Sequence, residues 1–108
     1  MIDFLNMEEK LIPHFKDGEG AIGAKMFADD ANRILRGRLA PGCSIGMHCH
    51  ETSSEIIFIL SGVGTTILDG QEETLLPGQC HYCRKGQTHT LINRGTEDLH
   101  FFAVVPEQ

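Results

Sequence analysis

Residues 56–78 read IIFILSGVGTTILDGQEETLLPG, in which short apolar runs alternate with the turn dipeptides Ser61-Gly62, Asp69-Gly70 and Pro77-Gly78. Asp-Gly favours a tight hairpin between the runs on either side of it, and Pro-Gly suits the centre of a type II turn. The run Ile56–Leu60 is apolar throughout, so we expect a strand that is buried on both faces. This stretch predicts β-structure with closely spaced turns.

The same alternation of strand and turn signals extends in both directions from this stretch. Further strands are predicted around residues 34–39, 45–50, 80–83, 88–92 and 99–105, whereas Asn6–Leu11 favours one helical turn. Roughly eight to ten short strands in one chain are typical of a sandwich or a closed barrel. A chain of 108 residues has room for one core. We therefore predict a single all-β domain.

Charge and composition argue against several kinds of partner. The chain has nine basic and fifteen acidic residues, a net charge of −6, which does not favour a nucleic-acid partner. The N-terminus lacks the basic, apolar pattern of a signal peptide, and Ile56–Leu60 is too short to span a bilayer. We expect a cytoplasmic protein with no membrane partner. Its four cysteines are then expected to be reduced thiols.

The segment around His48 and His50 carries the chemistry. Alternate residues of a strand share a face, so two imidazoles at this spacing can converge on one ion. If residues 51–54 form a hairpin loop, Glu55 lies opposite His50 and joins the same face. The alternative is a solvent-facing strand whose histidines bind nothing. His89 is the best candidate for a fourth ligand, because it follows a turn and opens a strand.

Two motifs in this region resemble those of the cupin family. The first is Gly42-x5-His48-x-His50-x4-Glu55-x6-Gly62, and the second is Gly78-x5-Arg84-x-Gly86-x2-His89-x3-Asn93, with Arg84 where the family usually has proline. The resemblance implies a cupin (jelly-roll) β-barrel whose metal ligands are His48, His50, Glu55 and His89. It also implies a barrel domain of residues 31–108 and an N-terminal arm of residues 1–30, which would be exchanged in a homodimer.

The implied ligand set suits one divalent transition metal, whether iron, manganese, nickel, cobalt or zinc. Three neutral imidazoles and one carboxylate leave a divalent site with a net charge of about +1, which can accept an anionic ligand. This favours a small-molecule ligand inside the barrel. Cys80 and Cys83 look like a CxxC motif, but a strand points them to opposite faces, so we interpret them as packing residues.

The favoured function is a metal-dependent enzyme that acts on a small carboxylate-bearing or oxygen-rich metabolite, as an isomerase, a lyase or a dioxygenase. If such chemistry needs a base, His81 could reach the barrel interior beside the metal, or Glu55 could dissociate and serve. A non-enzymatic module that binds a metabolite and a protein that only holds metal are the alternatives. The sequence leaves the substrate, the reaction and the metal open.

Overall fold

The computed structural model describes residues 1–108 and confirms the all-β prediction. Two 3-10 helices, Phe4–Asn6 and Phe15–Asp17, accompany ten strands. The strands are β1 (Lys10–Pro13), β2 (Ala21–Ala28), β3 (Asn32–Leu39), β4 (Ser44–Cys49), β5 (Glu55–Ser61), β6 (Gly64–Leu68), β7 (Gln71–Leu75), β8 (Cys80–Cys83), β9 (Thr88–Ile92) and β10 (Leu99–Pro106). None of the helices has the length and apolar character needed to cross a membrane.

The strands form two antiparallel sheets that face each other as a jelly-roll-like barrel. One sheet has six strands in the order β1-β2-β3-β10-β5-β8, and the other has four in the order β4-β9-β6-β7. Alternate residues of each strand point inward; Leu99, Phe101 and Ala103 of β10 are each 0% exposed. With Leu35 and Leu39 of β3 and further residues from both sheets, they form a core of twelve buried residues.

The turns form where the dipeptides predicted them. Asp69 and Gly70 have φ of +47° and +83° between β6 and β7, as a two-residue hairpin loop requires. At the Pro77-Gly78 turn, Gly78 has φ of +87°, and the N–H of Gln79 donates to the carbonyl of Leu76 at 3.0 Å. Both glycines are needed for their backbone conformation, since side chains rarely adopt these angles.

Two local predictions were wrong. Strand β5 is buried on one face only, because Phe58 and Leu60 are 48% and 41% exposed on the uncovered outer face of the six-stranded sheet. The helical turn lies at Phe4–Asn6 instead of 6–11, because Asp3 caps it by accepting the N–H of Leu5 at 3.1 Å. Lys10 then begins a strand.

Residues 1–30 extend the chain's own six-stranded sheet. Strand β1 pairs with β2, and β2 pairs with β3, all in antiparallel register. The division into an arm of residues 1–30 and a barrel of residues 31–108 stays a prediction, as does exchange of the arm between two copies.

Candidate metal centre

The predicted ligands come from both sheets. His48 of β4 pairs directly with His89 of β9 in the four-stranded sheet, and His50 follows β4 immediately. Glu55 begins β5 in the six-stranded sheet, where its cross-strand partner is Cys83. The expected hairpin between His50 and Glu55 is therefore wrong, although all four residues do meet inside the barrel.

Residues 51–54 cross from one sheet to the other, which explains why no hairpin forms. The N–H of His50 donates to the carbonyl of Gln87 at 3.1 Å, which keeps it beside the four-stranded sheet. Four residues later, the N–H of Ser54 donates to the carbonyl of Pro106 in β10 at 3.3 Å. The loop therefore satisfies its backbone groups on two different sheets, and Glu55 approaches His50 across the barrel interior.

Four donor atoms, the Nε2 atoms of the three histidines and Oε1 of Glu55, converge within 4.8 Å of one another. His50 Nε2 lies 3.1 Å from His48 Nε2, 3.0 Å from His89 Nε2 and 3.1 Å from Glu55 Oε1. Glu55 Oε1 lies 2.9 Å from His89 Nε2 and 4.0 Å from His48 Nε2. Ligands bound at about 2.0–2.2 Å on neighbouring coordination positions lie roughly 3 Å apart, so this spacing suits one ion.

The outer nitrogens of the histidines are engaged elsewhere, which leaves the three Nε2 atoms facing the centre. His48 Nδ1 donates to the carbonyl oxygen of Gly46 at 2.7 Å, and that acceptor fixes the proton on Nδ1. His50 Nδ1 lies 3.0 Å from the hydroxyl of Ser53. His89 Nδ1 lies 3.0 Å from His81 Nε2. Three Nε2 atoms facing one carboxylate oxygen suit a cation between them.

A β-bulge next to His48 helps to place its ring. The register of β4 against β9 shifts between Ile45 and His48. Gly46 lies in this bulge, and a Cβ at that position would meet the carbonyl oxygen of Lys16 at 1.8 Å. A glycine is therefore needed where the helix Phe15–Asp17 crosses β4, and the same residue supplies the carbonyl that orients His48.

Burial and hydrogen bonding set the charge of the cluster. Burial lowers the pKa of His48 and of His81, which favours neutral imidazoles at neutral pH. Burial alone would raise the pKa of Glu55, but the adjacent imidazole groups of His50 and His89 outweigh it and lower that pKa to about 2. The cluster therefore offers imidazole nitrogens and one ionised carboxylate, a donor set that suits a divalent transition metal.

A cavity of about 400 Å³ opens beside the cluster. His48, His50 and Glu55 line it together with apolar side chains of Met26, Leu35 and Ile45. Its rim contains charged residues of both signs: Lys16, Arg33, Asp29, Asp30, Glu51 and Glu107. The volume suits a small molecule that contacts the cluster.

His81 and Cys83 both point inward from β8, and Cys80 points outward. The opposite orientation of the two cysteines confirms their predicted separation, and all four cysteines are free. His81 is 2% exposed and lies behind His89, and it does not line the cavity. Arg84, at the family's proline position, lies 5.2 Å from the Tyr82 ring and away from the cluster.

Sequence reasoning missed three contributors to the site. Ser53 contacts His50, Glu73 lies 3.6 Å from His81 Nδ1, and Arg33 lines the cavity. Arg33 was visible only as part of a basic group, and nothing in the spacing of Ser53 or Glu73 signalled a contact. These residues come from separate strands and loops whose pairing the sequence pattern did not give.

The family assignment follows from this geometry and from similarity. The family described as Cupin domain matches residues 35–105, a range that contains the four clustered residues. The chain belongs to the cupin family. In cupins of known structure the same barrel is found with different activities, so the assignment establishes the fold and leaves the reaction open.

One curated relative and one solved structure, both from Thermotoga maritima, are similar to this cupin. One, named oxalate-binding protein, is 36% identical over 75 residues, which cover 69% of this chain and 62% of the relative. The chain thus spans less than two thirds of that relative's length. The crystal structure of a predicted oxalate decarboxylase superposes with a TM-score of 0.93 at 26% identity, over 100% of this chain and 99% of the other.

A third similarity concerns the fold alone. The crystal structure of a putative sugar phosphate isomerase from Acidithiobacillus ferrooxidans has a TM-score of 0.74 at 22% identity, over 82% of this chain and 60% of the other. Proteins with such different names share the barrel, so the residues around the cavity must carry any argument about the ligand.

Proposed function

We propose that this cupin binds one divalent transition metal at His48, His50, Glu55 and His89, and a small carboxylate-bearing molecule in the adjoining cavity. The observation that carries the proposal is the convergence of four donor atoms beside a cavity of about 400 Å³. The relative named oxalate-binding protein supports a small dicarboxylate as the first ligand to test. Iron, manganese, nickel, cobalt and zinc are all compatible with the donors.

The chain's own residues would prepare the site for an anion. Three neutral imidazoles leave the single charge of Glu55 to offset two positive charges, so the loaded centre attracts a carboxylate. Met26, Leu35 and Ile45 give the cavity apolar walls, and Arg33 offers a cation at its rim. A divalent ion held there supplies a Lewis acid for an oxygen atom of the ligand.

We favour enzymatic turnover by this centre, in the isomerase, lyase or dioxygenase class, over simple binding. Glu55 borders the cavity and is ionised, so it is the better placed of the two candidate bases. His81 does not line the cavity, and its role as an acid or base stays a prediction. A non-enzymatic binding module remains the second candidate, because the relative's name describes binding only.

The first experiment measures ligand binding to protein loaded in turn with Mn(II), Fe(II), Ni(II), Co(II) and Zn(II). Calorimetry with oxalate, malonate and acetate should show metal-dependent binding that is lost in His48→Ala/His89→Ala. Product analysis of the same mixtures then separates an enzyme from a binding module. Stoichiometric metal with no carboxylate binding would overturn the ligand proposal, and no metal uptake would overturn the centre itself.

We also propose a cytoplasmic homodimer that forms through the outer face of the six-stranded sheet. Phe58, Leu60 and Tyr82 are 41–48% exposed there, and Phe102 lies beside Phe58 across the strands. Exposed apolar residues that are contiguous mark association surfaces. Four free cysteines are in keeping with a reducing compartment. Sedimentation of wild type against Phe58→Glu tests the association, and a monomeric wild type would overturn it.

A further inference from the structure

We propose that His81 and Glu73 are positioning residues that hold His89 in the one tautomer able to bind metal. The inference rests on the proposed metal function and deepens it. His81 Nε2 lies 3.0 Å from His89 Nδ1, where it would accept the Nδ1–H, and Glu73 lies on the far side of the His81 ring. The three residues form a line that runs from the centre of the barrel to its surface.

The contact between the two rings is a hydrogen bond in the ring plane. His81 Nε2 and His89 Nδ1 are 3.0 Å apart, the ring centroids are 5.2 Å apart, and the planes differ by 13°. That centroid separation equals the hydrogen bond plus two ring radii, so the rings meet edge to edge and are not stacked face to face. Both residues are buried, at 2% and 1% exposure, so water does not replace this contact.

His89, unlike His48, has a side chain and not a backbone carbonyl as the partner of its Nδ1. A neutral imidazole carries one proton, and an N–H on Nε2 would point a donor at the place where an ion must bind. His48 avoids this through a backbone carbonyl, whereas His50 contacts the hydroxyl of Ser53, which can donate or accept. His89 has neither, and its Nδ1 partner is the ring of His81.

Glu73 orients His81 in turn. It lies on β7, at the edge of the four-stranded sheet, and its Oε1 is 3.6 Å from His81 Nδ1. The carboxylate favours the proton on that Nδ1 and leaves Nε2 as the acceptor for His89. The Glu73 side chain is 54% exposed, so its contribution is weaker than that of the buried pair.

Three variants separate positioning from packing. His81→Phe keeps a ring beside His89 but removes the acceptor, whereas His81→Gln can place an amide oxygen near the position of Nε2. Glu73→Gln removes the outer charge. Its matched control is Glu72→Gln, which makes the same change one residue earlier on β7, where the side chain pairs with Arg94 and not with His81.

The first readout is the tautomer of His89 in metal-free protein, from long-range nitrogen–proton NMR correlations at a fixed pH. Wild type should show the proton on Nδ1, and His81→Phe should move a measurable fraction to Nε2. The second readout is the Kd for Zn(II) or Mn(II), by competition with a chelator. His81→Phe should weaken binding about 10- to 100-fold. His81→Gln should recover most of that loss.

Glu73→Gln should weaken binding by a smaller factor than His81→Phe, and Glu72→Gln should leave it unchanged. The unfolding temperature of each metal-free variant is measured alongside, since a packing role would lower it together with affinity. An unchanged tautomer and a Kd within twofold of wild type in His81→Phe would overturn the inference. If wild type binds no metal, the proposed function fails, whereas the NMR result still decides the role of His81.

Discussion

On the cavity side of the cluster, His48, His50 and Glu55 border open space, whereas His89 on the far side is 1% exposed and contacts another buried ring. The cavity side mixes apolar walls with a rim of both charges, and the far side ends in a single line of hydrogen-bonding groups. This difference in exposure and contacts indicates that the two sides of the cluster have separate roles. Under the proposed function, exchange of the organic ligand would occur on the cavity side, and the far side would hold a metal-binding histidine in place.

Removing one histidine from each side should abolish the centre. His48→Ala/His89→Ala leaves two donors, too few to hold a divalent ion against solvent. We expect wild type to contain about one equivalent of metal by elemental analysis and the double variant to contain almost none. The variant must keep its β-rich circular dichroism for the comparison to hold. Equal metal content in both proteins would contradict the assignment of these donors.

Changing the charge on the cavity side alone should weaken metal binding strongly. Glu55→Gln keeps the size of the side chain but removes the one negative donor, so affinity should fall by more than the 10- to 100-fold typical of outer partners. Competition with a chelator gives the Kd for Mn(II) and so measures this loss of affinity. The control Glu51→Gln alters a cavity carboxylate outside the cluster. Similar losses in both variants would mean that Glu55 acts only through general charge.

A substitution at the cavity rim should change the affinity for the organic ligand and leave the affinity for the metal unchanged. Arg33→Gln should reduce oxalate affinity roughly fivefold, in line with about 1 kcal/mol for a partly exposed charge pair. Arg36→Gln on the same strand is the matched control, since Arg36 lies over Phe102 and does not line the cavity. Calorimetry on metal-loaded protein measures the oxalate affinity of both variants. Equal oxalate affinity in the two variants would exclude Arg33 from recognition.

Acid should destabilise the metal-free protein through both sides of the cluster. Burial holds the pKa of His48 and of His81 below the ordinary value of 6.5, so the unfolded chain takes up protons first as pH falls. Their contribution to the free energy of unfolding is present above pH 6.5 and is lost as pH falls toward the folded pKa values. Urea titrations at several pH values in chelator, with His81→Phe for comparison, measure this. A flat profile from pH 7 to about pH 5 would contradict it.

The smallest expected effect is an alkaline one at Cys83, next to Glu55 across the strands. Burial raises the pKa of the Cys83 thiol from 9.0 to about 12. The neutral thiol therefore stabilises the fold below pH 9, and that contribution is lost as pH rises toward 12. Cys83→Ala should show a shallower loss of stability above pH 9 than wild type, whereas the exposed Cys80→Ala should not.

Sequence reasoning succeeded where a signal was local. The Asp69-Gly70 hairpin and the Pro77-Gly78 turn depend on adjacent residues, whose backbone requirements hold in any fold. The donor residues were found in the same way, because His48 and His50 share a strand face at fixed spacing. His89 was selected because it follows a turn and opens a strand, and family resemblance then supported it, since its distance in the chain gives no geometric constraint.

The predictions that failed depended on which strands pair with each other, which the sequence pattern does not show. Glu55 was placed opposite His50 because a four-residue loop commonly closes a hairpin, but the loop instead crosses to β10 and β8. The exposure of Phe58 and Leu60 was missed for a related reason, since an apolar run does not reveal whether its outer face is covered. The contact from Glu73 to His81 joins the edge strands of two sheets.

The crossing loop of residues 51–54 has a kinetic consequence. It puts His50 and Glu55 in different sheets, so an ion held by both would cross-link the two layers of the barrel. The sheets could then part only as coordination bonds break, and the residence time of the ion would track the rate at which the barrel opens. Slow release of the ion and slow hydrogen exchange of the amides in β4 and β5 would then have the same cause, which is the slow opening of the barrel.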